Sequence, residues 1–210
     1  VEDIMKRQLL VGTIAMVCLA GAAQAQITGS AHDFSSMAWS GGEICKPCHT
    51  PHFGNVDAGF MWNHELSAAT FTMFEGETGG PELLDERSLM CMGCHDGTVA
   101  LDSFGGQTGI NFIGGKALIG TDLQDDHPIG ADAIYPTEAS TRFNPQDANH
   151  RVPGPWGSLR LRAWIDPTDN VEKYVVGCST CHTPHNAGNF NHMVRFSNQA
   201  SHLCLTCHIK

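Results

Sequence analysis

Four short patterns punctuate this chain: CKPCH at 45–49, CMGCH at 91–95, CSTCH at 178–182 and CLTCH at 204–208. In each, two thiols and an imidazole occupy positions i, i+3 and i+4, which one helical turn brings to a common face. Paired C-x-x-C could hold zinc, but zinc gives no reason for a histidine directly after every second cysteine. The pattern fits the attachment of a c-type haem, in which each thiol adds across one vinyl group and the histidine becomes an axial iron ligand. The expected cofactors are therefore four covalently attached haem c groups. Cys45, Cys48, Cys91, Cys94, Cys178, Cys181, Cys204 and Cys207 hold them, and His49, His95, His182 and His208 are the proximal ligands.

Four haems in so short a chain restrict the fold. Residues 1–25 read as a secretory signal peptide: Lys6 and Arg7, then an apolar run, then the cleavage site Ala23-Gln24-Ala25. Cys18 leaves with it, so all eight remaining cysteines lie in the four motifs. The remaining ~185 residues must wrap four porphyrins, which then supply much of the apolar interior. Gly is abundant at 23, Pro numbers 10, and periodic apolar helices are scarce. The expected fold is that of a multihaem cytochrome c, mostly loops and short helical turns wrapped around stacked haems. Little regular secondary structure is expected beyond a small β-hairpin, formed by LRLRAWI (159–165) and VEKYVV (171–176) and running into Cys178. In it Leu159, Leu161 and Ala163 should alternate with solvated Arg160 and Arg162.

The chain also repeats itself. CKPCHTPHFGN at 45–55 matches CSTCHTPHNAGN at 178–189, WNHELS at 62–67 resembles FNHMVRFS at 190–197, and SLMCMGCH resembles SHLCLTCH. Residues 26–210 thus read as one domain of two dihaem modules, about 45–95 and 178–208. A Gly/Pro-rich loop and the hairpin region join them.

The repeated HTPH raises the question of the second axial ligand. Trans ligands on one iron place their Cα atoms roughly 12 Å apart. Three extended residues span at most about 11 Å and would have to round the ring edge. His52 and His185 therefore cannot complete the haems held by His49 and His182, and Pro51 and Pro184 turn the chain away. Each is expected to bind the iron of a different haem. His64 and His192, equivalent in the WNH and FNH repeat, and His32 and His127 compete for the other two distal places. His150 and His202 read as solvated. Methionine, with Met61 and Met73 available, is the weaker choice because histidine is in surplus.

The formal charge of −10 is unchanged by loss of the leader, which removes Glu2 and Asp3 together with Lys6 and Arg7. Nucleic acid is disfavoured as a partner. No stretch after the leader is long and apolar enough for a transmembrane anchor. Export fits haem attachment of this kind, so the location expected is extracellular or on the outer surface, with the periplasm as the alternative. Four bis-histidine irons leave no open position for a substrate. Electron transfer is the expected role and an enzyme such as a nitrite-converting multihaem cytochrome is the rival.

AHDFSSMAWSGGEICKPCHTPH, WNHELSAATFTMF, LMCMGCHDGTVALDSFGG and DDHPIG, with the closing CSTCHTPH and CLTCH, resemble the multihaem c-type cytochromes of metal-reducing bacteria. Haem count and length make the chain most similar to the OmcE-type tetrahaem cytochromes, which polymerise into extracellular nanowires. The resemblance implies bis-histidine haems stacked in alternating parallel and T-shaped pairs. It also implies identical subunits in a filament, with one axial histidine open to donation by a neighbour, and other cytochromes or extracellular acceptors as redox partners. The family's HDF, CHTPH, WNH and DHP histidines correspond to His32, His52, His64, His127 and His185, which raises His32 and His127 above His192. His32, thirteen residues before the first motif on an N-terminal arm, is the expected trans ligand. The alternative is a monomeric periplasmic shuttle.

Overall fold

The computed structural model of the chain describes residues 26–55, 58–59, 61–138 and 140–210. The leader read at 1–25 lies outside them. Most of the described backbone is turn, bend and irregular structure, with short helices and three two-stranded antiparallel ribbons. Among the described residues no helix is long and apolar enough to cross a membrane.

The longest helix, α1 (Glu86–His95), carries the second motif at its end. Asp85 caps it, accepting from the N–H groups of Arg87 and Ser88, and Glu86 lies in its first turn, where the helix dipole favours an anion. Gly97, at φ 77°, supplies the left-handed turn that lets the chain leave. The third and fourth motifs form single-turn helices, α2 (Cys178–Cys181) and α3 (His202–Cys207).

Strands β1 (Phe71–Thr72) and β2 (Thr78–Gly79) make the first ribbon. The run 159–165 belongs to two ribbons rather than one. Residues before Leu161 end β4 (Gly157–Arg160), paired with β3 (Arg151–Gly154). Residues after it form β5 (Arg162–Ile165), paired with β6 (Glu172–Val175), which leads through Gly177 into Cys178. The change of partner shifts the inside–outside phase. Leu159, Leu161, Arg162 and Trp164 are buried while Arg160 and Ala163 are exposed, so Arg162 points inward, against expectation. Its guanidinium donates to the Ser179 carbonyl at 2.5 Å.

Two small cores back the motifs. Phe71, Met73, Leu83, Leu84 and Leu123 pack around Met92 of CMGCH. Tyr135, Val152 and Leu161 pack with Cys207 of CLTCH at their edge. Each buried aliphatic or aromatic side chain contributes on the order of 2 kcal/mol. Met73, once a candidate ligand, is 1 % exposed inside the first core.

The joint between α1 and α2 is tight. A Cβ at Gly177 would lie 2.1 Å from Asp85 Oδ2 and 2.7 Å from Ser88 Oγ. That carboxylate is pinned by the helix cap, so it has nowhere to yield. Gly177→Ala is expected to lower stability by about 3 kcal/mol through overpacking, read as a fall in the denaturation midpoint of the haem-loaded protein.

Candidate haem sites

Each of the four motifs is one helical turn. His49 N–H donates to Cys45 O at 2.8 Å, His182 N–H to Cys178 O at 3.0 Å and His208 N–H to Cys204 O at 2.9 Å. CMGCH is the last turn of α1. Past the turn the backbone becomes extended, and His49, His182 and His208 form bridges to Trp62, Val194 and Phe143.

Six of the eight thiols are partly screened from water, while Cys45 and Cys204 are exposed. Burial pushes Cys48 up to about 11, Cys94 to about 12 and Cys181 to about 11. Such thiols are protonated at neutral pH and resist spontaneous oxidation to disulfides.

Three proximal histidines each face one other histidine at nearly the same separation. Ring centroids are 6.1 Å apart for His49 and His185, 6.1 Å for His95 and His32, and 6.2 Å for His208 and His127. Two metal–nitrogen bonds of about 2 Å plus two half-rings of about 1.1 Å span roughly 6.2 Å. Each gap therefore fits one hexacoordinate iron. Among the described residues no group of three or more His, Cys, Asp or Glu side chains is arranged to hold a metal ion.

The tautomers fit as well. His95 Nδ1 lies 2.8 Å from Ala117 O, His182 Nδ1 2.8 Å from His192 O and His127 Nδ1 2.9 Å from Pro128 O, and His32 Nδ1 approaches Pro184 O at 3.4 Å. A carbonyl can only accept, so Nδ1 carries the hydrogen and Nε2 keeps its lone pair for a metal. Burial and then the neighbouring His95 hold His32 below the usual histidine range. Burial and then His49 do the same for His185. Both rings stay neutral, as a ligand must.

Other expected ligands stand elsewhere. His64 is 2 % exposed, with Nδ1 2.7 Å from Glu65 O, Nε2 3.0 Å from Ala100 O, and Cys94 Sγ 3.5 Å from Nε2. His192 is exposed, and its backbone carbonyl orients His182. The repeat explains why their apparent equivalence misleads. Thr50 N–H bonds Met61 O as Thr183 N–H bonds Met193 O, and Asn63 N–H bonds Cys48 O as Arg195 N–H bonds Cys181 O. Met61 and Met193 both have φ 55°. Residue 64 therefore corresponds to Phe196, four positions from the register that the shared N–H pair suggests. His150 and His202 are half-buried rather than solvated, stacked on Tyr174 and Trp156.

His32, expected to reach a neighbour, faces His95 of its own chain here. Its short arm folds back because Phe34 stacks near the ring and packs in turn against Trp39. His52 is exposed beside Phe53, which is 104 % exposed, and among the described residues no histidine ring faces either His52 or His182.

Successive motifs lie within electrostatic range of one another in sequence order, and the second and third are in contact. Cys94 senses the charge of Cys48, the Cys91 thiol donates to Cys178, and Cys181 senses Cys207 and Cys204. Helices α1 and α2 pack directly, which brings the second and third motifs together. The sites therefore form a row, first to second to third to fourth.

The family described as a doubled CXXCH motif matches residues 172–210, which hold the third and fourth motifs. No curated protein matches the chain. The chain carries attachment motifs for haem c, with the haem-binding and electron-transfer role that such motifs support.

Proposed function

We propose that this chain is a tetrahaem electron conduit, exported to the cell exterior, and the subunit of a filament rather than an enzyme. The observation that carries the reading is the row of four sites in sequence order, three of them already flanked by histidine pairs at iron-spanning distance. A haem in each site supplies a one-electron ferric/ferrous couple. The chain's own residues do the rest. The eight motif cysteines would anchor the groups, the Nδ1–carbonyl bonds fix ring orientation, and at three sites the paired imidazoles would hold the metal and leave no position for substrate.

His182 carries the argument for a filament. Its Nε2 is freed by the bond to His192 O, and it lies exposed. The repeat equates His182 with His49 and His52 with His185, so the partner that His185 gives His49 corresponds to His52 for His182. His52 sits on an exposed apex with Phe53 and with Met61, which is 63 % exposed. A second copy supplying His52 to His182 completes the fourth pair and extends the row from chain to chain. An acidic surface of net charge −10 otherwise opposes such contact.

The haem complement is tested by a pyridine haemochrome assay of the mature protein, with an expected count of four per chain. Three or fewer would overturn the reading. Negative-stain microscopy of the secreted fraction tests the filament, and only dispersed particles at all concentrations would favour a periplasmic shuttle.

A further inference from the structure

An acidic chain concentrates its arginines in one place. Twelve Lys and Arg occur in all, and removing Lys6 and Arg7 of the leader leaves ten. Five of them, Arg87, Arg151, Arg160, Arg162 and Arg195, line one cleft with Ser158, of ≈ 220 Å³. Arg151 and Arg160 are direct cross-strand partners in the β3–β4 ribbon, a placement that like charges disfavour unless something anionic lies between them. Arg162 and Arg195 converge on the Ser179 carbonyl inside the third motif, at 2.5 Å and 2.8 Å.

Among the described residues no carboxylate forms an ion pair with Arg151, Arg160, Arg162 or Arg195. Asp85 lies near Arg162, but its oxygens are taken by the α1 cap and the Ser88 hydroxyl. Arg162 is only 7 % exposed, and its Nε–H is buried with no acceptor. Buried donors are almost always satisfied in a working protein, and a guanidinium offers the planar fork that oxyanions fill. Burial first, and then Arg87 and Arg195, depress Arg162 to about 10, against a smaller opposing effect of Asp85.

We propose that this cleft is an oxyanion site, taking a carboxylate or phosphate group on the guanidinium groups of Arg151, Arg160 and Arg162. Two sources share that chemistry: free phosphate from solution, or a propionate carboxylate of a haem carried by this chain. The site does not depend on filament formation.

The test uses the mature haem-loaded protein in chloride buffer at low ionic strength, titrated calorimetrically with inorganic phosphate. Arg151→Gln and Arg160→Gln alter exposed side chains without removing a structural hydrogen bond, and Arg142→Gln, outside the cleft, is the control. For a solution anion the expected result is saturable binding of one phosphate per chain, weakened at least tenfold in Arg151→Gln and Arg160→Gln and unchanged in Arg142→Gln. For a haem carboxylate phosphate does not bind. Instead, the pH at which one haem's reduction potential changes slope moves upward in Arg160→Gln, because loss of a cation makes the carboxylate easier to protonate. Phosphate binding unaffected by either cleft variant would overturn the proposal. So would the absence of both phosphate binding and any such movement in pH.

Discussion

His52→Ala is expected to abolish filaments and leave dispersed chains that still carry four haems, one of them high-spin. The affected haem should be the one attached at Cys178 and Cys181, because His182 is the proximal histidine without a facing ring among the described residues. Attachment survives, since no motif residue is touched. His32→Ala should behave differently, opening the haem at Cys91 and Cys94 while filaments persist, because His32 faces His95 within the chain. Negative-stain microscopy with electron paramagnetic resonance on both variants separates the two roles. Filaments of normal morphology from His52→Ala would refute its reach into a neighbour.

A second large effect concerns a histidine far in sequence from the haem it serves. His185→Ala should leave the haem at Cys178 and Cys181 unaltered and open the one at Cys45 and Cys48, since His185 faces His49 at 6.1 Å. The reduced variant should gain one carbon-monoxide-binding haem per chain, a change from essentially none to stoichiometric. Peptide mapping of the photolabile haem would locate it. Binding at the 178–181 peptide instead would mean that the local loop closes back on its own iron, against the reach of three residues.

The haem attachment sites were legible because covalent chemistry dictates their spacing locally. That His185 turns away from the motif it follows was legible from reach alone, but that it faces His49 was not, for the partner depends on the path of the whole chain. The equivalence of His64 and His192 rested on a shared N–H pair that imitated a repeat. The hydrogen bonds of Met61 and Met193 define the true register, and no side-chain pattern announces it. The hairpin 162–175 was readable by alternation, whereas RVPGPWG looked like loop because of its prolines and glycines. A two-stranded ribbon is all edge, so Pro153 loses no interior ladder bond there. The inward turn of Arg162 followed from that unseen ribbon, and with it the cationic cleft.

The pairing of His49 with His185 also orders the protein's birth. The first motif emerges early and can receive its haem at once, yet its second imidazole is close to the end of the chain. His32, waiting on the second motif, leans on Pro184 in the same late segment. Bringing residues 49 and 185 together closes a loop of about 136 residues, an entropic cost of about 4 kcal/mol that attachment of the intervening haems must offset. Nascent chains should therefore pass through a stage in which the first haem is attached but lacks its second imidazole, open to exogenous ligands. On the proposed ligation the first site would be completed only with the last quarter of the polypeptide, so a chain truncated before Cys178 would emerge as a dihaem species whose first haem lacks its second imidazole.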